Sequence, residues 1–173
     1  PVDYETLTEA GAIMGSGGLI VMDKSDCMID IASYFLNFTQ DESCGKCTFC
    51  RAGTKRMLEM LETFSVGNGS VDDINKLKKL AKNVKAHSLC GLGQTAPNPV
   101  LTTLDYFRDE YVQHVEEKKC KAKACKELIN YEITADCIGC GTCAEECPED
   151  AISGKNNEKY SIDAKKCTKC GVC

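Results

Sequence analysis

The sequence predicts a mainly α protein in two parts, a four-helix bundle followed by a small α+β unit organised by cysteines. Three observations carry that prediction. Four stretches between residues 27 and 111 place apolar residues at helical spacing. The composition turns lysine-rich over residues 113–131, then cysteine- and glycine-dense from Asp136 onward. Most of the 14 cysteines fall into runs with two residues between neighbours.

The helices follow in order. The first is predicted from Cys27 to about Gln40, with Met28, Ile31, Ala32, Phe35 and Phe38 on one stripe. The second begins just after Cys50, buries Met57, Leu58, Leu61 and Phe64, and stops at Gly67. The third opens at Ser70 with Asp72 and Asp73 in its first turn, a capping-box-like start. It closes on Lys78, Lys79, Lys82 and Lys85, cations that suit the negative end of a helix dipole. Its stripe is Ile74, Leu77, Leu80 or Ala81, and Val84. The fourth takes Asn98 as N-cap and Pro99 at its first position, then runs through Val100, Leu104, Phe107 and Tyr111. Short connections between four such helices predict a bundle.

Residues 1–26 read differently. Gly15-Ser16-Gly17-Gly18 is a turn feeding a short buried strand at Leu19–Met22. A phosphate-binding loop is the alternative, but Ile20 stands where the third glycine of G-x-G-x-x-G would be. The predicted organisation is therefore 1–26, a helical bundle at 27–115, a linker at 116–135 and a cysteine-dense domain at 136–173.

Composition excludes several classes. No apolar run approaches the roughly 20 residues of a membrane span, and no signal-peptide core is evident at the start. A secreted disulfide scaffold would not crowd its cysteines into triplets. Net charge is −5 with both signs interspersed, whereas a nucleic-acid surface is normally basic. The expectation is a soluble, cytoplasmic protein with no nucleic-acid partner and no membrane insertion.

The strongest motif is Cys137-x-x-Cys140-x-x-Cys143-x-x-x-Cys147-Pro148, followed by Cys167-x-x-Cys170-x-x-Cys173. This is the spacing of bacterial two-cluster ferredoxins. Three thiolates on a tight loop hold three corners of one cubane, and the fourth cysteine of the run reaches the other cluster. Cys147 is therefore grouped with Cys167, Cys170 and Cys173. Cys137, Cys140 and Cys143 require a fourth ligand expected just beyond residue 173, so the ferredoxin-like domain reads as C-terminally incomplete. A zinc ribbon, the competing reading, uses cysteine pairs rather than triplets.

A further triplet, Cys44, Cys47 and Cys50, sits immediately before the second helix, whose N-terminus, with Lys46 and Arg51, favours an anionic cluster. Cys90, in the glycine-containing loop between the third and fourth helices, is the best candidate for a fourth ligand; the alternative is a buried core cysteine.

Longer motifs then come into view. Met14-Gly15-Ser16-Gly17-Gly18, Cys27-Met28-Ile29-Asp30, Glu42-Ser43-Cys44-Gly45-Lys46-Cys47 and Ser88-Leu89-Cys90-Gly91-Leu92-Gly93-Gln94-Thr95-Ala96-Pro97-Asn98-Pro99 resemble the 51 kDa flavoprotein (NADH-binding) subunit family of NADH dehydrogenase over residues 1 to about 115. The resemblance implies that residues 1–26 end a β-grasp domain. It also implies that Cys44, Cys47, Cys50 and Cys90 hold the [4Fe-4S] cluster that takes electrons from FMN. Phe49 departs from the proline usual in that family. The appended ferredoxin-like domain is similar to that of multimeric NAD(P)-linked, including electron-bifurcating, [FeFe]-hydrogenases and of formate dehydrogenases. In those enzymes FMN and NAD(P) bind an upstream domain, so no flavin or nicotinamide residue is assigned to this chain.

Cys27, Cys120 and Cys125 remain, with His114 near the latter two in sequence. Three thiols and one imidazole would form a tetrahedral zinc site pinning the linker to the bundle. Against that, Cys27 falls on the predicted first helix and can be read as a helix residue alone. His87 is read as a loop or helix-end residue. The functional expectation is an electron wire of up to three [4Fe-4S] clusters within an NAD(P)H-dependent oxidoreductase, exchanging electrons with other hydrogenase or dehydrogenase subunits and with ferredoxin. The alternatives are a zinc-organised interaction module, or the matching subunit of a formate dehydrogenase or complex I-like enzyme.

Overall fold

Ser70 shows how locally the chain begins its longest helix. Its hydroxyl accepts a hydrogen bond from the Asp73 N–H, and the Asp73 carboxylate accepts one from the Ser70 N–H at 3.1 Å. Two backbone donors that a helix start would leave unpaired are thus satisfied reciprocally. The computed structural model describes residues 2–173. It contains α1 (Tyr4–Glu9), α2 (Met28–Asp41), α3 (Thr54–Ser65), α4 (Val71–His87), α5 (Gly91–Thr95), α6 (Asn98–Tyr106), α7 (Arg108–Val112) and α8 (Thr142–Glu145), with one antiparallel pair, β1 (Ile152–Ser153) and β2 (Ser161–Ile162). The chain forms two compact units, one ending at Leu128 and one spanning Ile129–Cys173.

In the first unit, α2, α3, α4 and α6 share one core. Ile29, Ala32 and Leu36 of α2 meet Met57, Leu61 and Phe64 of α3, Ile74, Leu77, Ala81 and Val84 of α4, and Val100 and Leu104 of α6. Each of the larger aliphatic side chains contributes about 1.5–3 kcal/mol by leaving water. Thr103 and Tyr111 carry polar atoms into this interior and satisfy them together, hydroxyl to hydroxyl at 2.8 Å.

Four expectations are corrected here. The α2 stripe is Met28, Ile29, Ala32 and Leu36, and Phe38 is exposed. That helix is apolar around much of its circumference, so packing against α3 chooses the buried face. The fourth helix begins with Pro97 as N-cap; Asn98 lies inside it, its amide oxygen accepting from the Lys85 ammonium at 2.8 Å. It also breaks at Phe107 (φ −129°, ψ 33°), and Tyr111, on the separate helix α7 that follows, is buried in the core. Finally, Leu19–Met22 forms no strand, and Leu19 and Val21 are exposed. A strand needs a neighbouring edge for its backbone groups, and among the described residues none lies beside it.

In the second unit, Ile152 pairs with Ile162 across the hairpin, and Ala151, Ile152 and Tyr160 make a small core. Two glycines here are required by geometry. Gly139 (φ +71°) lies so close to the 157–158 backbone that a Cβ would meet the Glu158 nitrogen at 2.6 Å, and its carbonyl accepts from the Asn157 N–H at 3.0 Å. Gly171 (φ +76°) is backed by the Tyr131 hydroxyl, 2.8 Å from where a Cβ would stand. Among the described residues no helix is long and apolar enough to cross a membrane.

Candidate metal centres

Cys44, Cys47 and Cys50 lie on the loop that leads into α3, and one π-helical turn, Phe49–Gly53, joins that loop to the helix. The wider turn carries Cys50 into the interior (4% exposed), where Ser43 Oγ lies 3.4 Å from its sulfur. Cys90 arrives from the other side of the sequence as N-cap of α5. Three contacts bring the two segments together. The Leu89 backbone N–H reaches the Cys47 sulfur and, with the Cys50 N–H, holds that thiol below its ordinary range. The rings of Phe49 and His87 stack with centroids 4.9 Å apart and planes 24° from parallel. Gly93 is pressed against Ser88 and Cys50, where a Cβ would stand 2.6 Å and 3.1 Å from their side chains. The N–H groups of Leu89 and Cys50 that point at the Cys47 sulfur are the donors that the thiolates of an iron–sulfur cluster need.

In the second unit, Cys147, Cys167, Cys170 and Cys173 line one cavity together with Tyr131, Ile152 and Ile162. The Ala151 N–H donates to the Cys147 sulfur at 3.3 Å. The hairpin sets the partner loop, since the Asp163 N–H bonds the Ala151 carbonyl and the Cys167 N–H bonds the Asp163 carbonyl. The four thiols grouped by their spacing thus line one small cavity, and four sulfurs are the donor set that a cubane takes. Cys137, Cys140 and Cys143 occupy the glycine loop ahead of and within α8, whose N-cap Gly141 is left-handed (φ +84°). The Thr142 hydroxyl, then its N–H, lower the Cys140 thiol below its ordinary range.

The remaining group is the tightest. The ligand atoms of Cys27, His114, Cys120 and Cys125 all lie within 4.8 Å of one another, and all four residues are buried. The Cys27 sulfur is 3.5 Å from His114 Nε2 and 3.7 Å from the Cys125 sulfur, and Cys125 lies 3.4 Å from the same nitrogen. Cys27 is the N-cap of α2 but makes no cap with its side chain, so its sulfur is free to face the group. His114 sits on the π-helical turn after α7, and its Nδ1 is held by the Glu110 carbonyl at 2.7 Å. That bond turns Nε2 toward the three sulfurs, the usual arrangement of a metal-binding imidazole. Lys118 (φ 54°) reverses the chain so that Cys120 and Cys125 return to the group, and its ammonium is anchored on the Gly67 carbonyl.

Electrostatics mark the same group. The Cys125 thiol, donating to it, holds Cys27 down at about 4 against the opposing effect of burial, with His114 assisting. Burial alone would lower the His114 imidazole, but its bond to Cys27 raises it to about 9. Cys125 is correspondingly pushed up by Cys27 and by burial. Thiols and an imidazole this close compete for protons in the space of one cation, and three sulfurs with one imidazole nitrogen are a soft donor set of the kind that suits a tetrahedral metal. Sequence reasoning named all four residues but not Glu110; its i, i+4 relation to His114 on one helix was the available signal. Nothing in the sequence pointed to the Leu89 N–H or to Tyr131.

Comparison with known proteins points to iron–sulfur binding in both parts of the chain. Residues 30–114 match the NADH-ubiquinone oxidoreductase-F iron-sulfur binding region, and residues 131–153 match the 4Fe-4S binding domain. The chain belongs to this iron–sulfur family. It is 50% identical over 160 residues, 92% of this chain, to the NADP-reducing hydrogenase subunit HndC of Solidesulfovibrio fructosivorans. It is 38% identical over 119 residues, 69% of this chain, to a subunit of the NADH-quinone oxidoreductase of Rhizobium meliloti. It spans 33% of the first relative and 28% of the second, about a third of their length. Among solved structures, the NAD+-reducing [NiFe]-hydrogenase in the H2-reduced state is similar with a TM-score of 0.55 and 30% identity, over 58% of this chain and 17% of that one.

Proposed function

We propose that this chain is the electron-transfer segment of an NAD(P)H-linked oxidoreductase subunit of the hydrogenase or diaphorase type. The observation that carries the proposal is the cavity jointly lined by Cys147, Cys167, Cys170 and Cys173, in a chain whose other unit draws the Cys44–Cys50 loop and the Leu89–Cys90 loop together. A [4Fe-4S] cluster supplies one-electron exchange at thiolates it shares with the protein. The chain's own work is to hold the thiols, to shield them and to aim N–H groups at sulfur. Cys44, Cys47, Cys50 and Cys90 would hold one cluster, Cys147, Cys167, Cys170 and Cys173 a second, and Cys137, Cys140 and Cys143 three corners of a third.

Within that proposal, the four core helices α2, α3, α4 and α6 form the cluster-bearing bundle, and residues 1–26 are the end of a β-grasp domain. FMN and NAD(P) chemistry belongs to an upstream domain, and the partners are other hydrogenase or dehydrogenase subunits and ferredoxin in the cytoplasm. The buried set Cys27, His114, Cys120 and Cys125 holds a structural zinc ion, supported by three thiols and an oriented imidazole within 4.8 Å.

The test is iron, acid-labile sulfide and zinc per chain on anaerobically prepared protein, with EPR before and after dithionite. About eight to twelve irons with reduced-cluster signals, and at most one zinc, support the assignment. Colourless protein with two or more zincs and no iron after reconstitution would leave a zinc-organised interaction module instead.

A further inference from the structure

We propose that the exposed lysine face of α4 is a docking surface for a small, acidic, one-electron carrier protein. The inference rests on reading the chain as an electron-transfer segment and adds where the carrier sits. The chain is acidic, with a net charge of −5, yet after Asp73 α4 holds five lysines and no acid. Lys78, Lys79 and Lys82, with Asn75 and Asn83, line one shallow groove on a single side of that helix. Their spacing of three and four residues keeps them on one stripe, opposite the buried stripe of Ile74, Leu77, Ala81 and Val84.

These charges are unevenly compensated. Lys76, around the helix, is paired with both Asp72 and Asp73 at 2.9 Å. Lys78 is paired with Asp105. Among the described residues no carboxylate lies within ion-pair distance of Lys79 or Lys82, and both are exposed. The Arg108 guanidinium, donating to Asn75 at 2.8 Å, brings a further cation to one end of the groove. Lys79 and Lys82, cations with no carboxylate partner among the described residues of an anionic chain, select an anionic partner and steer its approach.

Position gives the face a use. Lys82 lies within about two helical turns of the Ser88 cap, and the chain continues directly into Leu89, whose N–H reaches the Cys47 sulfur, and into Cys90. A carrier held along α4 is therefore held beside the loop that binds the first cluster. That loop also leaves Leu89 76% exposed, a small apolar contact at its tip. The groove itself is lysine and asparagine, with no aromatic or aliphatic side chain. Lysine is depleted in permanent interfaces, whereas small, polar, charge-driven contacts typify transient redox encounters. The favoured occupant is thus a diffusing carrier rather than a fixed subunit. One electron leaves this chain and one arrives on the carrier; no bond is made or broken.

The experiment uses the full-length subunit with its clusters in place, reduced by dithionite and mixed in stopped flow with an oxidised acidic ferredoxin. Lys79→Glu/Lys82→Glu is compared with wild type and with Lys79→Arg/Lys82→Arg across a salt series. The same proteins are mixed with cytochrome c, a basic carrier. The expected result is a roughly tenfold or larger slowing of ferredoxin reduction at low salt in the Glu variant, with a flattened salt dependence. The Arg variant should match wild type, and cytochrome c reduction should quicken in the Glu variant. Unchanged ferredoxin rates and salt dependence in the Glu variant overturn the proposal, as does loss of co-purification with partner subunits, which would mark a permanent contact. Wild-type protein that dithionite cannot reduce, with no cluster EPR signal, defeats the electron-transfer reading itself and the docking surface with it.

Discussion

The sulfur of Cys27 lies 3.7 Å from that of Cys125, a residue separated from it by 98 positions in the chain. With His114 and Cys120 they draw the start of α2, the turn after α7 and the 120–125 loop onto one point. A zinc ion held there, as proposed, would tie these three segments together. Replacing Cys125 by Ser, or His114 by Ala, is expected to lower zinc from about one per chain to near zero while leaving iron unchanged, because a tetrahedral site missing a ligand binds far more weakly. Elemental analysis of both metals checks this, and limited proteolysis should show faster cleavage within residues 118–128.

Glu110 serves the same site twice. Its carbonyl holds His114 Nδ1 at 2.7 Å, and its carboxylate accepts from the Met28 N–H at 3.3 Å, next to Cys27. Glu110→Ala removes the second contact and frees the start of α2. Loss of such supporting partners typically weakens metal binding by about 10–100-fold. Zinc affinity measured against a chromophoric chelator should fall within that range for Glu110→Ala. It should recover largely in Glu110→Gln, whose amide oxygen can still accept the bond.

Gly93 separates the cluster's fit from general stability. An added Cβ would stand 2.6 Å from the Ser88 side chain and 3.1 Å from the Cys50 Cβ, pushing apart the loops that bring Cys50 and Cys90 together. Gly93→Ala is expected to destabilise the first unit by about 1–3 kcal/mol and to deplete the iron of that cluster alone. By contrast, Leu77→Ala in the helical core should cost about 2–5 kcal/mol, with iron retained in whatever protein remains folded. Thermal unfolding and iron content on both variants distinguish the two.

The α4 cap carries a pH signature. The Lys76 ammonium, then the Ser70 hydroxyl, lower the Asp73 carboxyl below its ordinary value of 3.8. A group depressed on folding adds stability above its unfolded value, and that stability fades as pH falls through the folded one. Wild type should therefore lose stability more steeply below about pH 4 than Asp73→Asn, as read by denaturant midpoints across an acid series. Ser70→Ala, which removes the hydroxyl cap, should cost about 1 kcal/mol at neutral pH.

Much of the site was legible in the order of residues. Two-residue spacing places thiolates on a single tight loop, and the run ending at Cys147-Pro148 already separates Cys147 from its neighbours; in the folded chain it lines a cavity with Cys167, Cys170 and Cys173. The α4 start was legible for the same reason: Ser70 and Asp73 cap each other across three residues, and no distant group is involved. The helices' existence was likewise written in their apolar spacing. Which face of α2 turns inward was not, because Ile31, Phe35 and Phe38 compete with Ile29 and Leu36, and only packing against α3 breaks the tie.

By itself, then, the sequence determined the chemistry and everything set within a turn or two of chain: the thiolate triplets, the caps and the amphipathic helices. Tertiary structure alone decided what meets across long separations. It broke the fourth helix at Phe107, left Leu19–Met22 without a strand partner, and swung His114 onto three sulfurs while Glu110 held its ring. The reason is physical. Local hydrogen bonds and spacing act over a few residues and can be read in line, whereas burial and metal geometry are satisfied only when the whole chain has packed.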